Sequence, residues 1–180
     1  MPSMRVTHNC RSDRGLIGQS EGVNIRPFEP QDTTAIVGLS LRAWAPVHAS
    51  IREALGPEIN DSLQPDWRVT QQRDVEAVLA SDVTEVWVAD ANERAVGFVA
   101  ARIHPDGRIG EIDMLAVDPD QQGAGIGQAL TAHALAWIKE SGIEVAMVGT
   151  GGDPGHAPAR RTYANAGMRL VPMARYFKKL

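Results

Sequence analysis

The run Leu115-Ala116-Val117-Asp118-Pro119-Asp120-Gln121-Gln122-Gly123-Ala124-Gly125-Ile126-Gly127 constrains this chain more than any other segment. It begins as an apolar strand, turns at Asp118-Pro119, and places three glycines at the head of a helical pattern. In that pattern Ile126, Leu130, Ala134, Trp137 and Ile138 fall on one stripe, so a helix is predicted over 123–139, stopped by Ser141-Gly142. The first N–H groups of a helix have no internal partner, and the macrodipole adds positive potential there. Glycine lets a ligand approach that backbone closely. Together these make an anion cradle that needs no basic side chain. No carboxylate occurs between Asp120 and Glu140, although helix starts favour one, and a bound anion would supply the missing charge. A glycine turn that serves packing alone is the competing reading, and the strand ahead of the turn weighs against it. The dinucleotide fingerprint would need glycine where Gln128 stands, and a P-loop would need Lys followed by Ser or Thr.

The rest of the chain reads as one domain over residues 23–180, after an extension over 1–22 without periodicity. A strand over 23–28 leads to Asp32 as helix cap, a helix over 33–47 ending near Pro46, an irregular stretch, and a helix over 74–79. Alternating runs over 85–89, 95–103 and 109–117, joined by short polar turns, predict an antiparallel meander. A strand over 144–148, a helix from Pro158 to Asn165 stopped by Gly167, and a strand pair over 169–179 complete an α/β fold. Composition is ordinary for a folded domain, 43% hydrophobic and 22% charged. The net charge of −4 argues against nucleic acid and anionic membranes as partners. Cys10 is the only cysteine and no Cys/His cluster has metal spacing, so neither a disulfide nor a metal is expected. With no export signal and no run of ~20 apolar residues, a soluble, cytoplasmic protein is expected.

Gln122-x-x-Gly125-x-Gly127, preceded by Met114-Leu115-Ala116-Val117-Asp118-Pro119, resembles motif A of the GCN5-related N-acetyltransferase (GNAT) superfamily. The order of elements from Val23 to Leu180 resembles that family as well. The resemblance implies a single-domain GNAT fold, α/β in the α+β sense. Its mixed, mostly antiparallel sheet would splay between strands 4 and 5, with about four flanking helices. It implies acetyl-CoA as acyl donor, with backbone groups of Leu115, Ala116 and Val117 along the thioester arm. Amides of Gln122, Gly123, Ala124, Gly125, Ile126, Gly127 and Gln128 would hold the pyrophosphate.

Amine acylation needs a proton acceptor, because a lysine-like amine with pKa about 10.4 is mostly protonated at neutral pH, and a donor for the leaving thiolate. By regular alternation Glu111, Asp113, Leu115 and Val117 share one strand face. Family members with a glutamate base carry it six residues before the position of Val117, which is Glu111 here. A solvated strand face is the equal alternative. Ala159 and Tyr163 resemble the family's Asn-x-x-Ala-x-x-x-Tyr pattern, which makes Tyr163 the candidate acid and a neighbour of the thioester arm. Where the family often has Asn, this chain has His156, either of whose ring nitrogens could bond that arm. His156 could equally be a base or a helix cap. Trp44 and Trp67 read as core, and Arg160 and Arg161 as solvated.

The resemblance therefore implies an N-acetyltransferase acting on a primary amine of a small molecule. A protein N-terminus or lysine as acceptor, and a non-catalytic acyl-CoA-binding module, stay open. Glu53, Glu58, Asp61 and Asp66 outnumber Arg52 in the segment between Val47 and Trp67, a mild argument for a cationic acceptor. Family members are often dimers, so a homodimer is an expectation of the same kind.

Overall fold

In the computed structural model, which describes residues 22–180, five strands form one sheet in chain order. They are β1 (Val23–Pro27), β2 (Thr84–Ala91), β3 (Arg94–Ile103), β4 (Ile109–Val117) and β5 (Val145–Val148). The first four pair antiparallel as the turn chemistry demands, and β5 lies parallel to β4 after a helical crossover. Most of the expected extension, residues 1–21, lies outside the described residues.

Five helices flank the sheet: α1 (Thr33–Leu55), α2 (Pro57–Leu63), α3 (Trp67–Leu79), α4 (Ile126–Glu140) and α5 (Ala157–Asn165). The stripe Ile126, Leu130 and Ala134 of α4 packs on Trp87, Val99, Ala101 and Ile112 of one sheet face. On the other face Ile36 and Leu39 of α1 and Val75 of α3 pack on Val86, Val88, Phe98 and Ala116. Each fully buried aliphatic or aromatic side chain here contributes roughly 1.5–3 kcal/mol. The α4 layer is so close that a Cβ on Gly110 would overlap the side chain of Ile138.

Several local expectations change. α1 runs through Pro46 to Leu55, because packing on both sides of the proline outweighs the one backbone bond that its missing N–H removes. The irregular stretch after it holds α2, and the short helix expected over 74–79 extends back to Trp67, where Asp66 caps it by accepting from Arg68 and Val69. Asp32 does not cap α1; it is 6% exposed and accepts two bonds from Arg26. The strand pair expected over 169–179 does not form: this segment carries no helix or ladder in the single chain. Pro172 removes a donor from the middle of the run, and no strand of this copy lies alongside it.

The strand faces also differ from a regular pleat. Ala100 pairs with Met114 but Ala101 pairs with Ile112, so Asp113 is an inserted bulge residue. The one-residue slip exchanges faces. Ile112 joins Leu115 and Val117 on the α4 side, while Met114 and Ala116 face α1. Glu111 is therefore separated from Leu115 and Val117, correcting the expectation that the four share a face.

Candidate active site

The ladder between β4 and β5 lasts four pairs, from Ile109↔Val145 to Ile112↔Val148. Beyond it β4 continues to Val117 without a neighbour on that side among the described residues, which opens a cleft. Asp118 N–H donates to Val96 O at 2.8 Å. Alternate residues of an antiparallel strand address its partner, so Ala116 addresses β3 whereas Leu115 and Val117 turn their N–H and C=O groups to the cleft. Val117 O there accepts from Gln122 Nε2 at 3.1 Å. The side chains of Ala116 and Ile126 are core, 4% and 2% exposed, so Ile126 can serve a ligand only through its N–H, and Ala116, whose backbone addresses β3, does not meet the expected role along the thioester arm.

A short 3-10 turn over Pro119–Gln121 leads from β4 to the glycines. It is tied down by Asp118, whose carboxylate accepts from Asp120 N–H at 3.1 Å and from Arg42 of α1. Gly123 and Gly125 have φ of +85° and +80°, a region that side chains disfavour. Gly125 caps α4 with no side-chain bond, and the first turn of α4 holds no acid. Among the described residues nothing accepts from the N–H groups of residues 123–128; Gln122 N–H makes one long 3.4 Å bond to Pro119 O. A Cβ built on Gly123 or Gly125 would meet nothing within 4 Å, and one on Gly127 would touch Val117 and Thr162 at 3.7 and 3.9 Å. This backbone is free, positively polarised and next to the cleft, which fits a diphosphate.

Tyr163 projects from α5 into the packing against α4 and is 9% exposed. Burial pushes its phenol up to about 12, so it keeps its proton across the neutral range. Glu111 sits deep at the closed end of the cleft and is engaged. Its Oε2 accepts from Arg102 Nε and Nη2 at 3.1 and 2.8 Å and pairs with His104 Nε2 at 2.8 Å. Burial alone would raise its pKa, but the bonds from His104 and Arg102 outweigh that and hold it below the usual range. Asp113 adds a 3.6 Å contact to Arg102. A carboxylate so stabilised is a weak base, and the ring it holds in place is that of His104. Sequence reading passed over Arg102 and His104, although the hairpin register that puts Arg102 opposite Glu111 was available from the turn.

His156 closes a 3-10 turn before α5, and its Nδ1 lies 2.5 Å from Asp153 Oδ1. Burial would raise Asp153, yet the bond from His156 holds it below the usual range. Asp153 accepts the hydrogen bond from Nδ1–H, leaving Nε2 as the nitrogen without a protein partner among the described residues. Arg160 Nη1 donates to Gly151 O and Asp153 O at 2.6 and 2.8 Å, and Gly155 N–H donates to Ser50 Oγ at 3.0 Å. Arg160 is thus a brace of the loop rather than a solvated charge. Asp153 was missed, although its i,i+3 spacing to His156 was visible.

Trp44 meets Phe98 edge-on at 6.4 Å, and Trp67 stacks on His48 at 4.2 Å. Arg52 pairs with Asp61, and Asp66 is spent as a cap, which weakens the charge argument for a cationic acceptor. A groove of about 820 Å³ lies apart from the cleft, between α1 and the β2–β3 turn. Arg26 crosses it to Asp32 and Asp90 at 2.7 and 2.9 Å, a structural clamp. Among the described residues no three metal-ligating side chains converge, and no helix is long and apolar enough to cross a membrane.

Residues 50–168 match the family described as Acetyltransferase (GNAT) family. The chain belongs to that family. The amide cradle beside the cleft is the place in this chain whose chemistry fits a diphosphate. The GNAT chain is 32% identical over 148 residues to a mycothiol acetyltransferase of Thermomonospora curvata, covering 82% of this chain and 44% of that one. It is 32% identical over 167 residues to a mycothiol acetyltransferase of Saccharomonospora viridis, covering 84% and 47%. This GNAT chain therefore spans about half the length of the curated relatives it matches. The aminoglycoside antibiotic 6'-N-acetyltransferase of Acinetobacter haemolyticus superposes with TM-score 0.61 at 16% identity, covering 87% of this chain and 98% of that one. That likeness establishes the shared fold.

Proposed function

We propose that this GNAT domain transfers the acetyl group of acetyl-CoA to a primary amine on a small molecule. The observation that carries the reading is the row of unpaired amides over 123–128, set where β4 leaves β5. Amides of residues 122–128 take the pyrophosphate, and the cleft-facing groups of Leu115 and Val117 align the arm that carries the thioester.

The amine nitrogen attacks the thioester carbonyl, forming the C–N bond as the C–S bond breaks. The sulfur takes its proton from Tyr163 Oη, which water then restores; a buried phenol raised to about 12 is a donor at any working pH. The amine's proton leaves through water toward the Glu111–His104 pair, whose Oε2 and Nε2 lie 2.8 Å apart. His156 Nε2, fixed by Asp153, meets the arm of the acyl donor on the opposite wall. A small-molecule acceptor is supported by the mycothiol acetyltransferase relatives.

The test is thiol release from acetyl-CoA across mycothiol-type amines, aminoglycosides, polyamines, amino acids and short peptides. Turnover with a small amine is expected. Release only with peptides would move the acceptor to protein, and CoA binding without release against any of these would end the catalytic reading.

A further inference from the structure

We infer that Arg42 of α1 is a positioning residue for the acyl donor: it ties down and neutralises two carboxylates that would otherwise stand against the diphosphate. This role rests on the reading of the amides over 122–128 as the phosphate site. The turn that leads into those amides carries two acids, Asp118 and Asp120, and carboxylates beside a bound diphosphate repel it. The first turn of α4, by contrast, holds no acid. Asp120 is exposed and screened by water, but Asp118 is 7% exposed and is screened far less.

Arg42 reaches both acids with one group. Its Nη2 donates to Asp118 Oδ2, and its Nη1 donates to Asp120 Oδ2 at 3.3 Å. Among the described residues no other cation pairs with either carboxylate. A planar guanidinium can bridge two acids at a fixed spacing, which the point charge of a lysine cannot. The other oxygen of Asp118 accepts from Asp120 N–H at 3.1 Å, so the 3-10 turn over Pro119–Gln121 is closed on one side by its own backbone and on the other by Arg42.

What Arg42 pulls against is fixed. Ile36 and Leu39 seat α1 in the core, 0% and 2% exposed. About two turns beyond Arg42, Ser50 Oγ accepts from Gly155 N–H at 3.0 Å. A Cβ on Gly155 would stand 2.8 Å from Ser50 Cβ and 2.9 Å from Val47 Cα, so α1 is pressed against that junction and has no room to slide. The turn over 119–121 takes its place from this helix, and the amides over 123–128 follow it directly. The aim of the phosphate site is thus set by a side chain that need not touch the donor.

The experiment measures CoA binding to the full chain by calorimetry, with inorganic pyrophosphate as competitor, for the native protein, Arg42→Gln, Asp118→Asn and the double variant. Arg42→Gln should weaken CoA and pyrophosphate by the same factor, about tenfold. Asp118→Asn removes the same pair from its other end, and the double variant should bind within about twofold of the weaker single. The side chain of Arg42 is 52% exposed, so glutamine there should fold, as circular dichroism will check; if it does not, Asp118→Asn carries the same comparison. A folded single variant that binds CoA as the native protein does overturns the proposal. A loss toward CoA without one toward pyrophosphate overturns it by placing the effect away from the phosphates, and a double loss equal to the product of the singles overturns it by separating the two residues. If the phosphate site itself is misplaced, pyrophosphate will not displace CoA from the native protein, and Arg42 then has nothing to position.

Discussion

Two junctions of eight residues lead from strand to helix in this fold, 118–125 between β4 and α4 and 149–156 between β5 and α5, and they are built in opposite ways. The first is held by one carboxylate at its base, Asp118, and then runs through positive-φ glycines to a helix without a side-chain cap. The second is laced by side chains: Asp153 to His156, Arg160 to two carbonyls, Ser50 to Gly155. A loop whose amides are left free offers a fixed positive potential that does not titrate and binds phosphate whatever the pH. A loop closed by side chains offers a single oriented imidazole nitrogen. The same topology thus yields a backbone anchoring site at one crossover and a side-chain site at the next.

Gly125→Glu should break the first junction most completely. A carboxylate at the head of α4 opposes the pyrophosphate, and the dissociation constant for CoA should rise more than about a hundredfold, or ~2.7 kcal/mol, by calorimetry. Gly125→Ala carries the same backbone strain without the charge, so it should lose about 1 kcal/mol of stability but much less affinity. Equal losses in the two variants would show that strain, not the anion site, was being measured.

Tyr163→Phe comes next, with kcat reduced about a hundredfold and KM for acetyl-CoA within about twofold. The same variant has a stability signature. Because burial raises the folded phenol from 10.0 to about 12, the native protein keeps this contribution below pH 10 and loses it as pH rises toward 12. The Phe variant should lack that alkaline decline. An unchanged kcat would remove Tyr163 as the acid even if the decline disappears.

Much of this contrast was legible before the fold was known. The first junction is written in backbone terms, as glycine positions and absent acids, and such signals survive in a linear sequence. The second depends on which side chains meet. Asp153 and His156 are close in sequence, but Ser50 is brought in from α1 and Arg160 reaches back from α5. The face of Glu111 was misread because a bulge has no fixed sequence mark: Asp113 is inserted, and everything beyond it exchanges sides. The path of α1 past Pro46 was misread because local propensity gave way to packing along the whole helix.

Gly151→Ala tests the second junction alone. A Cβ there would fall on Asp153 and His156, so the methyl group must displace the pair, while residues 123–128 keep their amides. The expected result is a fall of about tenfold in kcat/KM, ~1.4 kcal/mol, with CoA affinity falling by far less than in Gly125→Glu. Loss of CoA affinity on the scale of Gly125→Glu would mean that the two junctions form one site rather than two.

Glu111→Gln should have the smallest effect, and its size decides how the base is read. Bonds from His104 and Arg102 hold the Glu111 carboxyl below its ordinary value, so it stays ionised through the neutral range and cannot itself produce an activity limb there. Removing its charge should lower kcat about threefold by loosening His104, which Glu111 holds at 2.8 Å. For folding the sign is the one usual for a depressed acid: the stabilisation is complete above the unfolded value of about 4.3 and lost as pH falls through the folded one. Glutamine should therefore flatten acid unfolding while leaving the alkaline side untouched. A loss of kcat of about a hundredfold or more would return the role of base to Glu111 and make the bonds of Arg102 and His104 something the bound substrates must loosen.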